Sequence, residues 1–175
     1  MINFFKFALC ASLLAVVGCG QMGGDGGGAM PKDADVEVVE FLPAPGQFVN
    51  EGYSATTMEQ ACVYAQERIN NRYFVSLGGF GGYIVVGFDH NVVNRYQQYD
   101  FEILCNAFDG SSEPGIVWVM QDKNRNGVPD DTWYELAGSE TGKPETIQNY
   151  AVTYYRPSEP KKPVQWTDSE GNSGE

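Results

Sequence analysis

Across residues 36–157 the apolar positions follow a strand pattern more than a helical one. Phe101, Ile103 and Cys105 alternate with Glu102, Leu104 and Asn106. Tyr150, Val152 and Tyr154 alternate with Ala151, Thr153 and Tyr155. The runs "VEVVEF", "YFVSL" and "YIVVGFD" are short and rich in β-branched or aromatic residues, and "TWYELAG" reads as a further strand. "GIVWVM" is apolar at every position, which predicts a central strand buried on both faces. One segment breaks the pattern. In "SATTMEQACVYAQERINN", Met58, Ala61 or Cys62, Ala65 and Ile69 recur at helical spacing, and Glu59, Gln66, Glu67 and Asn70 take the opposite face. Thr56 with Glu59 and Thr57 with Gln60 both fit a capping box at its start. Turn-rich connections separate the strands: "FDGSSEPG", "DKNRNGVPDD" and "GSETGKPETIQ". The expected fold is all-β, a jelly-roll-like β-sandwich with one accessory amphipathic helix.

The ends of the chain differ from this middle. Residues 1–18 carry one basic residue, Lys6, then an apolar run from Phe7 to Val17 and small residues before Cys19. The run is shorter than the ~20 apolar residues of a membrane span, so it predicts a signal peptide. The ending "VVGC" resembles a bacterial lipobox, which makes Cys19 the lipidated first residue of the exported chain. An ordinary secretory signal is the alternative. Residues 19–35 are glycine-rich with few bulky apolar groups, and predict a flexible tether. Residues 36–157 form the expected sandwich. Residues 158–175 are rich in proline and charge, and predict an irregular tail in which Val164 and Trp166 fit a short edge strand. That tail reads as the cut end of a longer protein or as the lead into a further domain.

The net charge of -12 excludes nucleic acid and an anionic membrane surface as partners, because their phosphates are repelled. Membrane contact is then expected only through the lipid anchor. Of the four cysteines, Cys62 and Cys105 remain in the folded part. They are either one disulfide of an exported protein or two small apolar side chains.

The stretch "DKNRNGVPDD" carries the clearest chemistry. Counted from Asp122, side-chain oxygens stand at positions one, three, five and nine: Asp122, Asn124, Asn126 and Asp130. Gly127 at position six permits a sharp turn, and Val128 at seven offers its carbonyl. Alternate side chains of a tight loop converge, and calcium takes six to eight hard oxygen donors. The twelfth position is Trp133 rather than the bidentate glutamate of an EF-hand, so Asp131, Glu135 or water must complete the set. Calcium is the expected structural cofactor, and a plain Asn-Gly turn is the alternative.

Nothing in the sequence builds a catalytic set. The glycines of "GGFGG" complete no Gly-x-Gly-x-x-Gly and precede a strand, which predicts a turn and not a phosphate loop. The single histidine, His90, has no nucleophile elbow to serve and no histidine partner for zinc, so a local hydrogen bond is expected. Carboxylates such as Glu102, Asp109, Glu113 and Glu135 are present without a distinguished pair. The chain reads as a binding protein and not as an enzyme. At 13% aromatic content it has faces for stacking on sugars or flat cofactors. Most of these rings are expected in the core; Phe80, Tyr96, Tyr99 and Trp166 are those placed at loop edges, and they are the candidate ligand-binding residues.

The stretches "PAPGQFVNEGY", "VSLGGFGGYIVVGFDHNV", "YDFEILCNAFDGSSEPGIVWVMQDKNRNGVPDDTWYELAGSE" and "YAVTYYRP" resemble a family of Bacteroidetes-type cell-surface lipoproteins. These often carry only a "cell surface protein" or PKD-domain label. The resemblance spans nearly all of residues 42–157. It implies an outer-membrane lipoprotein at the cell surface, beside a TonB-dependent receptor, some in cobamide uptake loci. The implied role is capture of a nutrient, a glycan or a cobamide. A structural or adhesive module that contacts the receptor is the alternative, and a carbohydrate-active hydrolase ranks last.

Overall fold

The computed structural model describes residues 2–8, 13–17, 36–49, 51–105, 107–111 and 114–175. In chain order the elements are β1 (Ile2–Ala8), β2 (Leu13–Val17), β3 (Val36–Leu42), α1 (Met58–Asn70), β4 (Tyr83–Val92), β5 (Glu102–Cys105) and β6 (Ile116–Met120). They continue with β7 (Trp133–Glu135), β8 (Val152–Tyr155), β9 (Gln165–Asp168) and β10 (Ser173–Gly174). The protein is mostly antiparallel sheet, with a single helix among the described residues. A five-stranded sheet has the order β3-β4-β1-β6-β7, a three-stranded sheet the order β10-β9-β8, and β2 pairs with β5. No helix among the described residues is long and apolar enough to cross a membrane.

The helix forms where its spacing predicts. Thr57 is the N-cap, and its hydroxyl accepts from the Gln60 amide. The return arm goes one residue further back, since Gln60 Oε1 accepts from the Thr56 amide at 2.9 Å. Ala61, Ala65 and Ile69 are buried against the sheet, and two alanines in that stripe leave room for close approach. They share one core with Val36, Val38 and Phe41 of β3, Ile84, Val86 and Phe88 of β4, and Val119 of β6, with Phe101 and Ile103 packed alongside. Burying one side chain such as Ile69 contributes about 1.5–3 kcal/mol.

Gln66 departs from expectation. It does not face solvent on the polar side of α1. Its Oε1 accepts from the Val38 amide at 2.7 Å, and its Nε2 donates to the Val36 carbonyl at 3.1 Å. β3 is an edge strand with a bulge between Val38 and Glu40. The side-chain amide supplies the partners that a missing neighbour strand leaves out.

Three further elements differ from the sequence reading. "YFVSL" forms only a single bridge at Val75 and not a full strand, although Val75 and Leu77 are completely buried. The terminal residues 158–175 are not an irregular tail, because Gln165–Asp168 is the middle strand of the three-stranded sheet rather than an edge. Ser173–Gly174 supplies the outer partner that makes it so. The leader's apolar run also enters the sheets: Ile2–Ala8 lies between β4 and β6, and Leu13–Val17 pairs with β5. Apolar, extended segments satisfy open strand edges, and this chain offers such edges. Cys19 and the tether at residues 19–35 lie outside the described residues.

Candidate binding cleft and acidic loop

The glycine turn between Leu77 and Tyr83 is where the large and small sheets meet. Gly78 and Gly81 take positive φ (78° and 87°), which favours glycine. The turn is fastened to the segment after β3: the Ala44 amide donates to the Leu77 carbonyl and the Gly79 amide to the Pro45 carbonyl. Gly79 has a second reason to lack a side chain. A Cβ there would stand 2.7 Å from the Tyr154 hydroxyl and 2.9 Å from the Pro45 carbonyl. Tyr154 of β8 therefore rests directly on the glycine backbone, and its hydroxyl accepts from the Phe80 amide. Four residues earlier, just before β8, Tyr150 meets Phe80 edge-on with ring centroids 4.7 Å apart.

These contacts outline a cleft of about 770 Å³. Its walls are the Pro-Ala-Pro-Gly loop after β3, Phe80 of the glycine turn, Tyr150 and Tyr154, and Trp166 of β9, with Lys162 at the rim. The Trp166 ring lies against Gly174, where a Cβ would approach the indole to 2.8 Å. That volume and that apolar, aromatic lining suit a small organic ligand. The phenols remain hydrogen-bond donors at neutral pH. Burial pushes the Tyr154 hydroxyl up, and it pushes up Tyr53, helped by Tyr64 and Cys62. Tyr150 is raised chiefly by its hydrogen bond to Asp168, at 2.8 Å.

Asp168 organises the β9–β10 turn that carries Trp166. Its carboxylate accepts from the amides of Glu170 and Asn172, from the Asn172 side chain and from Tyr150. The Asn172 side chain is the largest cause holding its pKa below the usual carboxylate range, and Tyr150 and the two amides add to it.

Two of the four expected ligand residues share this cleft. Phe80, 44% exposed, and Trp166 both line it. Tyr96 and Tyr99 are 88% and 96% exposed in the connection after β4 and do not line it. Sequence reasoning missed Tyr150 and Tyr154 as site residues, taking them for core. Their period of two with Val152 was the available signal, since an extended chain puts all three on one side, although β8 itself begins only at Val152.

The acidic loop between β6 and β7 closes on itself. Asp122 accepts from the amides of Asn126 at 3.2 Å and Gly127 at 2.9 Å. Asn124 Oδ1 accepts from the Asn126 amide, and Asn126 Oδ1 from the Val128 amide. The amide groups of Asn124 and Asn126 both donate to Asp130. Gly127 and Arg125 take positive φ, 73° and 59°. The loop thus brings Asp122, Asn124, Asn126 and Asp130 together, as their spacing predicts. The Val128 carbonyl accepts from the Asp130 amide. Asp131 is used elsewhere, accepting from the Lys123 amide at 2.8 Å, and Glu135 stands on β7 opposite Trp118. Among the described residues no three His, Cys, Asp or Glu side chains gather as a metal site. The donor set is two carboxylates and two amide oxygens, hard donors of the kind calcium takes.

His90 lies near the end of β4, with Nδ1 2.6 Å from Asp89 Oδ1. Cys62 packs half-buried beside the main core, its thiol pushed up by burial, while Cys105 is exposed at the end of β5. No protein-family model matches the chain, and no curated protein matches it.

Proposed function

We propose that the chain is the ligand-capturing part of an exported surface lipoprotein, anchored through Cys19 at the outer membrane. The aromatic cleft holds a ring-shaped nutrient, a glycan or a cobamide. The observation that carries this reading is the convergence of Phe80, Tyr150, Tyr154 and Trp166 on one cleft of about 770 Å³. Ring faces stack on sugar or macrocycle surfaces, and phenol hydroxyls supply directed hydrogen bonds. The role we propose for this cleft is binding. Support for the lipoprotein and uptake context comes from the lipobox-like ending before Cys19 and from the resemblance to cell-surface lipoproteins. Calcium at Asp122, Asn124, Asn126 and Asp130, with the Val128 carbonyl and water, would staple β6 to β7 at a distance from ligand chemistry. A jelly-roll sandwich is the finer architecture we favour, because the strands beyond the leader pair antiparallel and fall into more than one sheet.

Isothermal calorimetry of the full chain against cobalamin and a panel of oligosaccharides tests the ligand class. Saturable heat with one of them, weakened by Trp166→Ala, is the expected result. A chain that binds none of them while co-purifying with an outer-membrane receptor belongs to the adhesive reading instead. The highly exposed Tyr96 and Tyr99 give that reading its surface.

A further inference from the structure

The centre of the large sheet is filled by the part of the chain expected to be removed. Phe4 to Ala8 of β1 pair with β4 on one side and β6 on the other, antiparallel to both. β4 and β6 therefore run parallel and are separated by one strand. Their facing backbone groups are satisfied through β1. The slot also has side-chain character. Val85 and Met120 are 1% and 0% exposed, and Phe4 packs with both. Gly87 makes room for the ring: a Cβ there would lie 3.0 Å from the Phe4 ring. Val36, Val39, Phe88 and Gly127 bound the hollow around it.

Cleavage before Cys19 would free β1. Two facing strand edges and a buried apolar row would then open together, and an exposed edge is a template for another strand. We propose that the space between β4 and β6 is a strand-acceptor site, filled in the exported protein by an extended apolar segment of a partner protein that sets an aromatic ring over Gly87. The leader strand shows the required chemistry. The added strand runs antiparallel to both neighbours, and main-chain bonds supply affinity while the hollow at Gly87 supplies selectivity. Strands β3, β4 and β6 to β10 keep a partner within the chain after that cut, while β5 loses β2 but is only Glu-Ile-Leu-Cys and carries no aromatic ring for Gly87; a net charge of -12 opposes a second copy. This inference rests on the export reading for the loss of the leader.

The test uses the full chain with a specific protease site placed within residues 23–28, cut after folding. The probe is a labelled synthetic peptide of the sequence of residues 2–8, with a second peptide carrying Phe4→Asp. The expected result is that the severed leader stays bound without a covalent link, or exchanges with the labelled peptide. The Phe4→Asp peptide should compete at least tenfold more weakly, and Gly87→Val in the chain should weaken uptake of the first peptide similarly. Loss of fold on departure of the leader, restored by the first peptide only, also supports the site. A cut chain that sheds its leader, keeps its near-ultraviolet spectrum and takes up no peptide would overturn the proposal, and so would unfolding that no peptide reverses. Mass analysis of Cys19 from cells tests export separately, so a failure there is distinguishable from a failure of the slot.

Discussion

Single side chains decide how the cleft is held. Gly79 is the clearest case, because its missing Cβ is what lets Tyr154 reach the Phe80 amide. Gly79→Ala should cost about 1–3 kcal/mol, the range for overpacking a filled contact, measured by urea denaturation, and should weaken ligand binding as Tyr154 is displaced. Gln66 is a second case. Gln66→Ala leaves the Val38 amide and the Val36 carbonyl without partners at a half-buried edge. A loss of about 1–3 kcal/mol follows from that unsatisfied pair, and a stability equal to wild type would contradict the role. Asp168 gives a pH signature. Its folded pKa lies below the unfolded value, so its contribution is present above the unfolded pKa of ~3.9 and is lost as pH falls through the folded value. Asp168→Asn should therefore destabilise the chain at pH 6, and the gap to wild type should close as pH falls below that range. Neither Gln66 nor Asp168 was visible as an anchor in the sequence. Both act on backbone groups brought near by the fold, and residue spacing along one element does not encode that.

At the scale of elements, legibility followed the strength of the local pattern. Helix α1 was readable because its cap and its Ala61, Ala65, Ile69 stripe are encoded within a few residues. β4 was readable from its continuous apolar run; β6 forms where expected but is not buried on both faces, since Ile116 is exposed and only Val119 and Met120 are buried. The strand at Val164 and Trp166 was foreseen as an edge, yet it became the middle of three, since Ser173 and Gly174 carry no strand signal of their own. The acidic loop was legible for the opposite reason: its oxygens are spaced by the loop itself, and Asp122, Asn124, Asn126 and Asp130 do converge. Asp131 was less readable, because its bond to Lys123 is set by how the loop closes. With calcium bound to this loop, adding a chelator should lower the thermal midpoint by several degrees, and Asp122→Ala should abolish that response. An identical midpoint with and without chelator would remove calcium from the account.

At the scale of the whole molecule, the cleft exists because two sheets meet across a glycine turn. The glycine turn before β4 contributes Phe80, the small sheet contributes Tyr154 and Trp166, and the segment leading into β8 contributes Tyr150. The sequence showed the aromatic residues but not their meeting, since the presence of residues 80 and 166 in one cleft depends on how β8 and β9 dock. Phe80 and Trp166 were reachable from their place at loop edges; Tyr96 and Tyr99 satisfied the same criterion and lie elsewhere, because exposure alone does not make a cleft. The central claim is that this cleft binds a ring-shaped nutrient. The most direct test is calorimetric titration of the full chain and a Phe80→Ala, Trp166→Ala double variant with the ligand found in the cobalamin and oligosaccharide panel. Two stacking contacts of about 0.5–1.5 kcal/mol each predict affinity at least fivefold weaker in the double variant, with Tyr96→Ala and Tyr99→Ala unchanged. Equal affinity in the double variant and the wild-type chain would contradict the account.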